Sequence, residues 1–84
     1  MRDTLRSPRQ VQLRSLLWNL RQRRRLTQEA VAGRLGKPQS FVGKYEGGER
    51  RLSVIEFIDV VRALGAEPPI VLRQLIDVLD HPER

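Results

Sequence analysis

The sequence between residues 26 and 51 constrains the fold most strongly, because it predicts two short helices joined by a glycine turn. The first helix should cover residues 28–35, with the Thr27 side chain accepting a hydrogen bond from an N–H group of the first turn. Gly36 should end this helix in the left-handed conformation, which glycine adopts at little cost.

The second helix should cover residues 38–45, because the N–H that proline lacks is not needed in a first helical turn. Val42 and Tyr45 are predicted to face the core, and Gly47 and Gly48 to end the helix. The opposite face carries small and polar side chains, namely Gln39, Ser40, Gly43 and Lys44. Two helices around a glycine turn, the second with a polar outer face, are typical of the helix-turn-helix, which places its second helix in the DNA major groove.

A wider pattern runs through both helices and the loop that follows them. It consists of Leu26, Thr27, Gln28, Glu29, Ala32, Leu35, Gly36, Gln39, Ser40, Val42, Lys44, Tyr45, Glu46, Gly48 and Arg50. This pattern resembles the DNA-binding domain of the lambda repressor and Cro type, the Xre-like regulators, and a weaker resemblance extends over residues 10–75.

The resemblance implies a compact, all-α, five-helix domain over residues 10–80, with the helix-turn-helix at helices 2 and 3. It also implies sequence-specific binding of double-stranded DNA by a small transcription regulator, and we expect a repressor. A dimer of such domains would read an inverted repeat, with its two recognition helices about 34 Å apart.

The distribution of charge independently favours a polyanionic partner. The 84-residue chain has a net charge of +6, but residues 1–51 hold a balance of +9 and residues 52–84 a balance of −3. A basic half with few aromatic residues favours the phosphates of duplex DNA over stacking on single strands.

The start of the chain predicts a basic arm and an amphipathic helix. Residues 1–9 show no clear period, so we expect a flexible arm that either follows a DNA groove or has no function. Residues 10–24 should form a helix whose core face carries Leu13, Leu16, Leu17 and Leu20. Trp18 and Val11 lie outside that face and should be covered by the arm or the C-terminus, or by another subunit.

Two more helices are predicted after the helix-turn-helix. Ser53 and Glu56 have the spacing of a capping box at the start of helix 4, whose buried stripe should be Val54, Phe57, Ile58, Val61 and Leu64. Helix 5 should cover residues 68–80 with a core face of Leu72, Leu75, Ile76 and Leu79. Ile70, Val71 and Val78 lie outside that face. With Trp18 they are expected to form a homodimer interface, unless the arm or helix 1 covers them. Residues 81–84 should form a polar tail.

Polar and basic side chains around the motif are candidate contacts to the DNA backbone. The family resemblance implies that Gln28 holds a phosphate and that Arg21 forms an ion pair with Glu46. Arg25 stands where many relatives have glycine, a departure that adds charge and puts the loop geometry in question. Phosphate contacts are expected from Gln28, Arg23, Arg24, Arg25, Lys37, Arg50 and Arg51.

Base contacts should come from the second helix of the motif. The Gln39 amide can accept from N6 of adenine and donate to N7. Ser40 can donate or accept and is less selective, and Lys44 should reach O6 or N7 of guanine one turn further on. Phe41 is placed to meet a thymine methyl group or the sugar backbone.

Other functional classes fit the sequence less well. An enzyme is not expected, because no carboxylate accompanies a nucleophile, a metal-ligand set or a glycine-rich phosphate loop. The chain has no cysteine and one histidine, His81, so we expect no metal and no cofactor. No signal peptide or membrane-length apolar run is present, which predicts a cytoplasmic protein. The alternative function is a protein-interaction module, such as an antitoxin-like or adaptor protein, which Trp18 and the apolar fifth helix favour.

Overall fold

The structure, a computed structural model, describes residues 7–81, which form five α-helices and no strand. The helices are α1 Pro8–Arg23, α2 Gln28–Leu35, α3 Gln39–Gly47, α4 Val54–Ala63 and α5 Pro68–Asp80. This arrangement confirms the predicted all-α, five-helix class. The predicted arm at residues 1–6 and the tail at residues 82–84 lie outside the described residues.

Helix α1 begins two residues before its predicted start. The Ser7 hydroxyl accepts a hydrogen bond from the backbone N–H of Gln10 at 3.1 Å, and Pro8 occupies the first turn. Serine followed by proline is itself a signal for a helix start, because serine satisfies one open N–H group and proline has none to satisfy. Pro8 and Arg9 therefore belong to the helix and not to the predicted arm, and Ser7 is its cap.

The helix-turn-helix has the predicted order, with a small shift in α3. The Thr27 hydroxyl accepts a hydrogen bond from the Ala30 N–H at 3.0 Å, and Gly36 ends α2 in the left-handed conformation with φ 68°. Pro38 is the N-cap of α3 with an extended ψ of 155°, not its first residue. Because one left-handed residue, Gly48, is enough to end the helix, Gly47 keeps a helical conformation.

The core takes side chains from all five helices. Helix α1 packs on α3 and α5, α2 packs on α3 and α4, and α4 packs on α5. The buried apolar residues are Leu17, Leu20, Val31, Ala32, Phe41, Val42, Tyr45, Val60, Val61, Ala63, Leu64 and Val71. Helix α3 is thus held from behind by α1 and α2, which leaves its outer face open to solvent.

The predicted core faces of α4 and α5 were partly wrong. Val54, assigned to the buried stripe of α4, is 74% exposed, and Leu72 and Ile76 of α5 are also exposed. Val71, assigned to the dimer interface, is only 2% exposed, and Val78 is half-buried. Since α5 is apolar over much of its circumference, its sequence does not select one face, and packing on α1 and α4 makes the choice.

Two apolar residues of α1 also remain at the surface. Trp18 is 46% exposed and Val11 is 41% exposed, so no segment within residues 7–81 covers them fully. This leaves covering by a second molecule, or by residues outside the described range, as the open alternatives. None of the described helices is both long enough and apolar enough to cross a membrane.

Candidate nucleic-acid interface

A buried ion pair joins α1 to the end of α3. Nε of Arg21 donates to Oε2 of Glu46 at 2.6 Å, and Nη2 donates to Oε1 at 2.9 Å. Nη1 of Arg21 donates to the backbone carbonyl of Leu26 at 2.9 Å, just before α2. The hydrogen bond with Glu46 raises the pKa of Arg21 further above its usual value, so the guanidinium stays charged. The pair that the family resemblance implied is therefore present, and it orients α1, α2 and α3.

Two glutamines continue this polar contact to the outer surface. Nε2 of Gln28 donates to Oε1 of Glu46 at 2.9 Å, and Nε2 of Gln39 donates to Oε1 of Gln28 at 2.5 Å. Gln28 stands in the first turn of α2 and Gln39 in the first turn of α3, so the glycine turn brings the two helix starts together. Gln39 is thereby held in place before any ligand binds.

The exposed face of α3 carries the other predicted base-contacting groups. Gln39, Ser40 and Lys44 are all exposed to solvent. Gly43 lies beside the glutamine pair, and a Cβ atom there would be 3.5 Å from Nε2 of Gln39 and 3.6 Å from Oε1 of Gln28. The structure thus brings three of the four predicted base-contacting residues to one open face with Gln28.

The fourth predicted base-contacting residue, Phe41, belongs to the core. Its side chain retains only 9% exposure, and its ring packs edge-on against Tyr45 with 5.7 Å between ring centroids. Lys37 and Arg50 place their cationic groups 5.5 Å and 4.7 Å from the same ring. One residue further along a helix is a rotation of about 100°, which turns Phe41 away from the Ser40 side and into the protein. This burial argues against the predicted contact of Phe41 with a thymine methyl group or the sugar backbone.

Arg50 links the loop after α3 to the start of α4. Its Nη1 and Nη2 atoms donate to the two carboxylate oxygens of Glu56 at 2.9 Å and 2.8 Å. These hydrogen bonds, with those from Ser53, lower the pKa of Glu56 to about 2. Ser53 and Glu56 also form the predicted capping box. Because Glu56 neutralises Arg50, this arginine has less charge to offer a phosphate than the exposed Arg51 beside it.

The arginines at the end of α1 and in the following loop differ in whether other protein groups already bind their guanidinium groups. Arg25 adopts φ 57°, in the left-handed region that glycine adopts readily. Nη1 of Arg24 donates to the carbonyl of Gly65 at 2.8 Å, which engages this guanidinium with the turn between α4 and α5. Arg23 and Arg25 are exposed and remain candidate phosphate contacts.

Two arginines that connect helices in the structure were not predicted from the sequence to do so. Arg14 lies against the end of α3, where a Cβ atom on Gly48 would be 3.0 Å from its guanidinium carbon. Its spacing of seven residues from Arg21 puts both on one side of α1, and this signal was available in the sequence. Nη1 of Arg34 donates to the carbonyl of Ala63 at 2.8 Å, a contact between α2 and α4 that has no local sequence signal.

This geometry defines a class of protein, a small helix-turn-helix domain with a prepared polar face on its second motif helix. Residues 12–80 match a family model described as a helix-turn-helix domain. The chain is also similar to an XRE-family like protein from Pseudomonas syringae pv. tomato str. DC3000, with 46% identity, a TM-score of 0.79 and coverage of 82% of this chain and 84% of that one.

Two further solved structures resemble this chain. One is the restriction-modification controller protein C.AhdI from Aeromonas hydrophila, at 32% identity and a TM-score of 0.67, covering 74% of this chain and 94% of that one. The other is a mutant of the restriction-modification controller protein C.Esp1396I, at 21% identity and a TM-score of 0.74, covering 96% and 99%, and it supports the fold alone. No curated protein sequence matches the chain.

The chain therefore belongs to the Xre-like helix-turn-helix family. It is a DNA-binding transcription regulator and not an enzyme.

Proposed function

We propose that the protein is a cytoplasmic transcription repressor that binds an inverted repeat in double-stranded DNA as a homodimer. The observation that carries this proposal is the open face of α3, where Gln39, Ser40 and Lys44 lie exposed beside Gln28. The major groove is wide enough to admit an α-helix, and its base edges differ in their donors and acceptors. Occupying such a site would block access of the polymerase to a promoter.

Contacts to bases and contacts to phosphates have different consequences in this proposal. Gln39 contacts adenine, Lys44 contacts guanine, and Ser40 adds a less selective hydrogen bond. The phosphate contacts come from Gln28 and the exposed cations, which are Arg23, Arg25, Lys37 and Arg51. Arg24 and Arg50 contribute less, because protein groups already bind their guanidinium groups.

The proposed dimer interface is the apolar groove between α4 and α5. Val54 and Leu72 line this groove from opposite sides, and Ile76 extends the exposed apolar surface along α5. Residues 52–84 carry a negative balance of charge, so this surface suits a second copy better than it suits DNA. Because α5 packs on α1 and α4 while α3 packs on α1 and α2, a dimer formed here leaves α3 open.

A two-fold interface of this kind is self-complementary, since each copy offers the same groove and the same α5 ridge. A small domain of this size gains from such an interface, because its own core supplies limited stability. The two copies of α3 would then enter successive major grooves about 34 Å apart and read an inverted repeat.

Selection of bound DNA from a random pool, at near-physiological salt with nonspecific competitor, tests the DNA-binding proposal. We expect an enriched inverted repeat with half-sites about 10 base pairs apart. Gln39→Ala should relax the preference at one base pair of each half-site. The control Arg51→Ala should instead weaken binding to all sequences alike, because a phosphate contact carries no sequence information. If both variants lower binding uniformly, the assignment of Gln39 is wrong.

Sedimentation of the protein at tens of micromolar tests the dimer. The wild-type mass should rise with concentration toward twice the monomer mass, and Leu72→Glu should keep the chain monomeric by placing a charge in the groove. Val11→Glu is the matched control, because Val11 is similarly exposed on α1 but does not line the groove. A monomer mass that is independent of concentration in the wild type would contradict the dimer.

A protein-interaction module remains the second candidate, and the exposed Trp18 favours it. A tryptophan at 46% exposure beside Val11 offers the kind of aromatic anchor that protein partners bind. This candidate takes precedence if the random-pool selection enriches no sequence and only salt-sensitive bulk binding remains. Tryptophan fluorescence of a complex with the partner would then report whether Trp18 becomes buried.

A further inference from the structure

We infer that Gly43 is a base-reading position of α3, where the missing side chain leaves room for the C5-methyl group of a thymine. The inference rests on the proposed function, in which the outer face of α3 enters the major groove. It adds an apolar contact to the hydrogen bonds expected from Gln39, Ser40 and Lys44, and it names thymine as the base that makes this contact.

Gly43 lies near the centre of the outer face of α3. Each residue of a helix is rotated by about 100° from the one before it, so Gly43 faces a direction between those of Gln39 and Ser40, one turn further along. The opposite side of the helix is closed, because it carries the residues of α3 that are buried in the core. A base edge that meets the middle of the open face therefore meets it at Gly43.

Nothing in the part of the chain that the structure describes requires glycine at this position. Unlike Gly36 and Gly48, Gly43 does not have a positive φ, so its helical backbone is open to any residue. The nearest neighbour of a Cβ atom here would be Nε2 of Gln39 at 3.5 Å, an ordinary van der Waals contact. Glycine inside a helix is also less stable than alanine, because it loses more backbone freedom on folding. The missing side chain thus lowers stability without allowing any closer contact within the described residues.

The space beside Gly43 has the size of one methyl group. A Cβ atom would fill it, at 3.5 Å from Nε2 of Gln39 and 3.6 Å from Oε1 of Gln28. In the major groove, thymine is the base that presents an apolar methyl group. Glycine also lets a backbone approach a ligand more closely than any other residue does. A thymine methyl group therefore fits the place that a Cβ atom would take.

The variant Gly43→Ala puts a protein methyl group where we expect the thymine methyl group. The protein should become more stable, with a thermal midpoint higher by about 4–8 °C at fixed protein concentration, because alanine is the better helix former. Its affinity for the selected DNA should nevertheless fall by about fivefold or more, as for other overpacked contacts. A merely structural role of Gly43 would not combine higher stability with weaker binding.

Gly33 provides the matched control. It is exposed on α2, its φ is not positive, and a Cβ atom there would meet nothing within 4 Å. Gly33→Ala should raise the thermal midpoint by a similar amount and leave the affinity for DNA unchanged, since Gly33 lies outside the open face of α3. An equal loss of affinity in Gly33→Ala and Gly43→Ala would overturn the inference.

Replacing the thymine by deoxyuracil tests the same contact from the side of the DNA. Deoxyuracil pairs with adenine as thymine does but lacks the C5-methyl group. Random-pool selection with the wild type and with Gly43→Ala first identifies the thymine, as the base whose preference the variant loses. At this position the wild type should bind the deoxyuracil duplex about fourfold more weakly, the value for one buried methyl group. Gly43→Ala should instead bind the deoxyuracil duplex more tightly than the thymine duplex, because only one methyl group then occupies the space.

The outcomes separate this inference from the proposed function. If the wild type enriches an inverted repeat and Gly43→Ala keeps the same base preferences, the inference is overturned while DNA reading stands. An equal response of the wild type and Gly43→Ala to deoxyuracil would overturn it too, because the two methyl groups would not compete for one space. If the wild type enriches no sequence, the proposed function fails first and the inference fails with it.

Discussion

Two arginine–glutamate pairs in this protein have nearly the same chemistry and very different surroundings. Arg21 and Glu46 are 25 residues apart in sequence, join α1 to α3, and keep 10% and 5% of their side chains exposed. Arg50 and Glu56 are 6 residues apart, join a loop to the next helix, and keep 39% and 25% exposed. Both are two-pronged contacts between a guanidinium and a carboxylate.

From this comparison we expect burial, more than geometry, to decide how much such a pair contributes to stability. A buried charge that loses its partner cannot be solvated, whereas an exposed charge returns to water. The inner pair, Arg21–Glu46, also contacts Gln28, which in turn holds Gln39. The outer pair, Arg50–Glu56, acts together with a local helix cap. We therefore expect loss of the inner pair to lower the free energy of unfolding more than loss of the outer pair, which mainly holds one loop in place. Each test below needs a fixed protein concentration, since dimerisation adds to apparent stability.

The largest effect should come from Glu46→Ala. It leaves the Arg21 guanidinium buried without its carboxylate, and this kind of loss costs about 3–5 kcal/mol. Urea unfolding followed by circular dichroism measures it, with Glu56→Ala as the matched variant at the outer pair. If Glu56→Ala destabilises the protein as much as Glu46→Ala, burial is not the deciding factor.

A smaller loss of stability is expected for Arg21→Lys, which keeps the positive charge but not the planar guanidinium with its several N–H donors. Arg21 uses three N–H groups, two toward Glu46 and one toward the carbonyl of Leu26. A lysine ammonium is a point charge and cannot repeat this geometry, so we expect a loss of about 2 kcal/mol in the free energy of unfolding. Arg50→Lys should cost clearly less. Equal losses for the two lysine variants would contradict the distinction between the pairs.

The next effect in size concerns the cap that accompanies the outer pair. In Ser53→Ala the backbone N–H of Glu56 loses the hydroxyl that it donates to at 3.1 Å. Loss of such a cap costs about 1 kcal/mol. Thermal unfolding of Ser53→Ala beside Ser53→Thr, which keeps a hydroxyl, checks this expectation. A Thr variant as unstable as the Ala variant would mean that the hydroxyl is not the source of the stability.

The smallest effect should be the pH dependence of the stability that the outer pair contributes. Hydrogen bonds from Arg50 and Ser53 lower the Glu56 pKa from 4.5 to about 2 in the folded protein. A carboxyl with a lowered folded-state pKa adds stability that is complete above its unfolded value, and that is lost as the pH falls from about 4.5 toward 2. The stability difference between wild type and Glu56→Gln should therefore shrink between pH 6 and pH 3. A difference that stays constant over this range would contradict the assignment.

The parts of the fold that the sequence predicted are those governed by local signals. Thr27, Gly36 and the Ser53–Glu56 box mark helix ends by satisfying open backbone groups within a few residues, and all three appear where expected. The Arg21–Glu46 pair was predicted only through the family resemblance, because nothing local links residues 25 positions apart. The start of α1 at Pro8 also had a local signal, the serine–proline pair at residues 7 and 8.

The remaining features needed the tertiary structure, for a physical reason that they share. Helix α5 is apolar on several sides, so only contact with α1 and α4 could bury Val71 and leave Leu72 exposed. The hydrogen bonds from Glu46 through Gln28 to Gln39 cross three helix ends, and their direction depends on which groups the fold brings within reach. The sequence by itself determined the order of the helices, their ends to within about two residues, and which helix carries the polar face. Packing alone decided which apolar side chains are buried and how the amide of Gln39 is held, since both depend on contacts between residues far apart in the chain.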